Sequence, residues 1–122
     1  MADLVVTCPK HFWEEWIAEG DPAGEPYSGE EWGWYTGREG PVGAYRPPIS
    51  SGERLYVVAH GRLRGYAPVT DVRQGANGKW IICRRGGGVA VTIGMTIKGF
   101  QGWRRVWWSR GEEVPFPDWK TP

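Results

Sequence analysis

Trp32, Trp34 and Tyr35 stand within four positions of one another. Their flat, electron-rich faces can stack on nucleobases or cage a methylated cation. The same rings could equally cap a core as apolar mass. Trp13 and Trp16 form a second aromatic pair. With Phe12 and Ile17 they fall on one helical face, the usual pattern of core; of the two, Trp13 is the better candidate for reaching a pocket.

Arginine supplies the complementary chemistry. Arg62, Arg64 and Arg73 are expected together on one strand face, with Tyr66 between them. Arg84, Arg85, Arg104, Arg105 and Arg110 follow on later strands. Eleven of the 15 basic residues are Arg, whose planar fork suits bidentate phosphate contact and ring stacking. Basic residues interleaved with aromatic ones are what single-strand or flipped-base binding uses. The alternative is an ordinary charged outer face, balanced by 14 acids.

His60 ends an apolar run at a turn, where it could bond a base edge, titrate near neutral pH, or simply close a strand. Thr7, Cys8 and Lys10 occupy a strand-to-helix junction. Free backbone N–H groups there favour anions, and a thiol in that place could have a lowered pKa. Cys8 and His11 offer two metal ligands, with only Cys83 and His60 left to complete a set, so no metal site is expected. Gly86-Gly87-Gly88 lacks the phosphate-loop pattern and reads as a turn. No cofactor is expected.

The elements that must position these residues follow from pattern. Leu4–Thr7 reads as a buried strand, Pro9 as a first helical turn, and Gly20 as a helix stop. Residues 21–49 carry six Gly and five Pro, show no period, and read as a long aromatic loop, with a short strand near Trp34–Gly37. Strands are expected at Leu55–Ala59, Arg62–Arg73, Trp80–Arg85, Val89–Ile93 and Trp103–Trp108. The turns are His60-Gly61, Gly75–Gly78 and Gly86–Gly88. Residues 111–122 read as an extended tail.

At 122 residues and net charge +1, the chain fits a single domain over 1–122 and excludes a polybasic nucleic-acid coat. Leu, Ile, Val and Phe number only 23, and nine Trp and five Tyr supply the missing bulk. Val and Ile outnumber Leu by 17 to 3, which favours strands. No apolar run reaches the length of a membrane helix and no signal peptide opens the chain. Two Cys give no disulfide framework. A cytoplasmic monomer without membrane contact is the expectation. The fold class is α+β, mostly β: a small curved antiparallel sheet or pseudo-barrel with one N-terminal helix.

The segments LVVTCPKHFWEEW (Leu4–Trp16) and ISSGERLYVVAHGRLRGYAPVTDV (Ile49–Val72) resemble the PUA-like superfamily, in particular its EVE and ASCH domains. The second has the Gly-acidic entry, apolar strand, His-bearing turn and strand with a central Gly, here Gly65. The resemblance implies a small β-barrel with a pocket between the first helix, the aromatic loop and the strand ends. It also implies a nucleic-acid or nucleotide partner, RNA or DNA, read through a base that can be modified. On that basis Thr7, Cys8, Lys10, Trp13, Trp32, Trp34, Tyr35, His60, Arg62, Arg64, Arg104 and Arg105 are the candidate ligand-binding residues. Two alternatives stand beside a binding module. One is an ASCH-like amidohydrolase using Thr7, Lys10 and Glu53. The other is a phage or mobile-element factor that docks on a protein through exposed Trp and Arg.

Overall fold

Two apolar runs become central strands because both of their faces are covered. A computed structural model describes residues 3–18, 25, 27–29, 31–36, 46–76, 78–100 and 102–121. The elements run β1 (Leu4–Thr7), α1 (Trp13–Ala18), β2 (Trp32–Thr36), β3 (Arg54–Ala59), β4 (Arg62–Gln74), β5 (Trp80–Arg84), β6 (Val91–Thr92), β7 (Trp103–Arg105) and β8 (Val114–Pro115). Six strands form one sheet in the order β2-β5-β4-β3-β1-β7, curled into a half-barrel, and β6 pairs with β8. This is the expected α+β, mostly β architecture. Its one parallel pair in the six-stranded sheet is β1 with β3, in the register Leu4↔Leu55 to Thr7↔Val58.

Side chains of β1 and β3 alternate between two cores. Leu4, Val6, Leu55, Val57 and Ala59 join Trp13, Ile49, Val69 and Ile82 on the concave face. Val5, Tyr56 and Val58 join Leu63, Ile93, Ile97 and Trp108 on the other. A strand buried on both faces reads as a continuous apolar run, which is why these two were the plainest in sequence. Trp32, Trp34, Trp103 and Trp119 pack against the concave core, so part of the Trp excess is structural.

Strict alternation fails in β4, and two bulges explain it. Val57 pairs with Gly65 but Val58 pairs with Leu63, leaving Arg64 as an extra residue. A second shift between Val69 and Asp71 leaves Thr70 extra. Each extra residue reverses which face the following side chains occupy. Leu63 and Tyr66 therefore share the outer core, and Arg62 lies opposite Ala59 on the concave side. Arg73 lies opposite Ile81, on the face opposite to Val72 and Ile82. The single expected Arg62–Arg64–Arg73 face does not exist: Arg62 and Arg73 lie an odd number of positions apart, the two bulges between them cancel, and Arg64 is the extra residue of the first.

Gly65 is the backbone reason for the first bulge. Its φ is 151°, and an ideal Cβ there would lie 2.3 Å from Val89 O. That close approach makes the Tyr66↔Val89 bridge, with Tyr66 N–H donating to Val89 O at 3.0 Å. The expected strand Val89–Ile93 shrinks to that bridge and β6. His60 and Gly61 both have positive φ (49° and 75°), as a two-residue hairpin turn demands.

The last residues are folded back, not extended. A 3-10 turn over Arg110–Glu112 carries a reciprocal cap, in which Ser109 N–H donates to Glu112 Oε2 at 2.8 Å. β8 and further turns follow. Arg64 holds this end in place: 3% exposed, it donates from Nε to Ala59 O at 2.9 Å and from Nη1 to the carbonyls of Trp119 and Thr121. Its guanidinium carbon lies 5.3 Å from the Trp13 ring centroid and 5.4 Å from that of Phe116. Burial presses its pKa below the usual arginine value. The Gly20 helix stop, the side chains of Trp16 and Ile17, Asn77, and residues 37–45 of the aromatic loop lie outside the described residues.

Candidate functional site

β2 and β7 are the two edges of the half-barrel, and the cleft lies between β2 and the residues that end β1 and lead into β7. Its volume is about 490 Å³. One wall is Trp32, Gly33, Trp34 and Tyr35 of β2; the other is Thr7, Cys8, Pro9, Phe12, Phe100 and Gly102. A half-barrel that does not close leaves a seam, and aromatic side chains fill its two lips.

The strand register sets which rings point where. Trp32 and Trp34 pair with Arg84 and Ile82, which places them over the concave core. Tyr35 pairs with Ile81 on the opposite face and is 61% exposed. Gly33 between the two Trp leaves room, since an ideal Cβ there would lie 2.8 Å from Ile81 Cγ2. Gly33 and Gly102 can offer the cleft only main-chain groups.

The second wall hangs from the end of β1. Cys8 N–H donates to Val58 O at 2.8 Å, extending the parallel pairing one residue past Thr7. Thr7 Oγ1 accepts the Phe100 N–H at 3.3 Å, fixing the connection before β7. The Thr7 hydroxyl proton is then still able to donate to a ligand. Pro9 opens a 3-10 turn over Lys10–Phe12. That turn separates neighbours the sequence placed together: Trp13 is buried in the core, while Phe12 is 42% exposed at the cleft.

Electrostatics favour a neutral ligand surface. Among the described residues none that lines the cleft carries a formal charge at neutral pH. Burial pushes the Cys8 thiol up to about 11, only partly offset by the Arg84 guanidinium. The lowered thiol pKa expected of a helix start is therefore corrected: Cys8 is buried beside apolar groups and is no thiolate near pH 7. Arg84 itself is buried, with its guanidinium carbon 5.9 Å from the Trp34 centroid and Nη1 donating to Leu55 O at 3.2 Å. Among the described residues no three His, Cys, Asp or Glu side chains converge as a metal set would.

The structure thus brings Thr7, Cys8, Trp32, Trp34 and Tyr35 together. Lys10 is exposed on the turn beside Pro9. Arg104 stands over the Phe100 ring at 4.3 Å, and Arg105 is exposed beside it. Four residues go elsewhere. Trp13 is core, donating Nε1–H to Lys120 O. His60 meets the Trp13 ring edge at 6.2 Å and does not line the cleft. Arg62 lies over Phe116 at 5.2 Å, and Arg64 is buried as described. Glu53 Oε1 accepts the Ser50 N–H at 2.8 Å, at the start of β3. Thr7 is level with Val58. Five residues of strand, roughly 16 Å, separate the two, so Thr7, Lys10 and Glu53 form no triad.

Phe12, Phe100, Pro9, Gly33 and Gly102 were not among the candidates. Phe12 carried a signal, because adjacent helical residues point about 100° apart and Trp13 was the stronger core residue. Phe100 lies in a connection without periodicity, where nothing in sequence marks it. No family model, curated protein or solved structure matches this chain.

Proposed function

We propose that the seam cleft binds a nucleobase, plain or modified, and that the protein is a nucleic-acid-binding module. The observation that carries this reading is the five aromatic residues, Phe12, Trp32, Trp34, Tyr35 and Phe100, that line one cleft of about 490 Å³ with no formal charge among its described lining residues. That volume lies within the range of small-ligand sites. A base offers two π-faces and a polar edge; the cleft offers rings, the Thr7 hydroxyl and main chain at Gly33 and Gly102. An aromatic-lined concavity suits a flat ligand, whereas a protein partner would need a flat or convex patch. Lys10 and Arg104 stand just outside the lining, where flanking phosphates would lie. The resemblance of Leu4–Trp16 and Ile49–Val72 to EVE and ASCH domains points the same way.

The test is titration with plain and modified single-stranded oligonucleotides at low salt, followed by Trp fluorescence. Saturable quenching that weakens in Tyr35→Ala is the expected result. Flat titrations with every ligand would overturn the proposal.

A further inference from the structure

Tyr27 stands in the left-handed backbone region, with φ of 70°. A non-glycine residue is strained there, and a bulky ring gains no local hydrogen bond in return. The surrounding backbone holds it firmly. Tyr27 N–H donates to Arg85 O at 2.7 Å. Ser28 donates to Glu25 O through both its N–H at 3.1 Å and its hydroxyl at 2.5 Å. Arg85 Nε donates to Gly29 O at 2.8 Å. Gly86 permits the close approach, since an ideal Cβ there would lie 2.3 Å from Glu25 O.

The ring held in this way is 62% exposed. Among the described residues its side chain makes no hydrogen bond, ion pair or ring contact. The fold would be served as well by glycine or asparagine. Its place in the structure suggests what the ring is for. Arg85 directly follows Arg84, the register partner of Trp32. By bonded and hydrogen-bonded path the Tyr27 and Trp32 Cα atoms are at most about 16 Å apart, at the Trp32 end of the cleft.

We propose that Tyr27 is a stacking platform for a base that flanks the one in the cleft. The ligand is then a single-stranded oligonucleotide and not a free nucleoside. This rests on the nucleobase reading of the cleft and adds a second subsite to it. Aromatic stacking is tolerant of base identity, so this subsite adds affinity more than sequence preference.

The experiment titrates single-stranded trinucleotides and the matching free nucleosides against wild type, Tyr27→Gly, Tyr27→Asn and Tyr27→Phe. Wild type is expected to bind the trinucleotide more tightly than the nucleoside. Tyr27→Gly and Tyr27→Asn should weaken the trinucleotide roughly 5- to 150-fold and leave the nucleoside unchanged. Tyr27→Phe should keep wild-type affinity. The glycine and asparagine variants should melt no lower than wild type, because both accept positive φ. Unchanged trinucleotide affinity in both variants, with binding still lost in Tyr35→Ala, overturns the Tyr27 subsite alone. An equal loss for nucleoside and trinucleotide also overturns it. Wild type that binds neither ligand overturns the cleft reading and this one with it.

Discussion

Trp13 Nε1–H donates to Lys120 O at 3.2 Å, across 107 positions of sequence. The next residue back, Phe12, is a wall of the cleft. One indole therefore ties the cleft lip to the C-terminal segment, which Arg64 also grips. Replacing Arg64 by Met keeps much of the volume but leaves the Ala59, Trp119 and Thr121 carbonyls short of a charged donor. Hydrogen bonds to charged groups contribute about 1.5–3 kcal/mol each before compensation. Arg64→Met is expected to cost about 2–4 kcal/mol in urea unfolding; a loss under about 1 kcal/mol would contradict the anchoring role.

Tyr35 separates binding from folding. It is exposed on an edge strand, so Tyr35→Ala should stay within about 0.5 kcal/mol of wild-type stability. Oligonucleotide affinity should fall by about 1–3 kcal/mol if the ring stacks on a base. Parallel denaturation and binding curves check both numbers.

Arg104 should govern salt dependence. With few cations near the cleft among the described residues, the slope of log K against log salt should be shallow, about −1 to −2. Arg104→Gln should make it shallower by about 0.7, the share of one phosphate contact to a single strand. An unchanged slope would remove Arg104 from the phosphate path.

Gly65 admits no side chain. Its Cβ would strike Val89 O, a backbone atom that cannot swing aside. Gly65→Ala should destabilise by more than about 2 kcal/mol and break the Tyr66–Val89 bridge. Amide exchange at Tyr66 and Val89 would report it directly.

The two thiols predict an alkaline weakness. Burial pushes both Cys8 and Cys83 up to about 11, from 9.0 when exposed. Above pH 9 the unfolded chain releases these protons while the folded chain keeps them, so stability falls as pH rises towards 11. Each thiol contributes up to about 2–3 kcal/mol to that loss. A Cys8→Ala, Cys83→Ala double variant should lose less stability between pH 8.5 and 10.5 than wild type does. The thiols of the native protein should also resist alkylation at pH 7.5.

Much of this was legible in sequence where one physical rule acted alone. β1 and β3 announce themselves because burial on both faces permits only apolar side chains. The His60-Gly61 turn follows from its need for positive φ. Thr7, Trp32, Trp34 and Tyr35, candidates on a strand end and an aromatic segment, line one cleft. Arg73 falls on the face opposite to Arg62 because an odd number of positions separates them, and no local residue pattern announces Arg64 as the extra residue of a bulge. Phe100 was missed because its position depends on a tertiary bond to Thr7, not on its neighbours.

The seam between β2 and the β1–β7 edge has a mechanical consequence. Its lips belong to opposite ends of one continuous six-strand sheet. The width of the gap is therefore set by the accumulated twist of every strand between them. A ligand lodged there would act as the missing stave of a cask, converting an open curl into a closed hoop. Occupancy would then be felt as stiffness throughout the hoop, with exchange slowing in strands that never touch the guest.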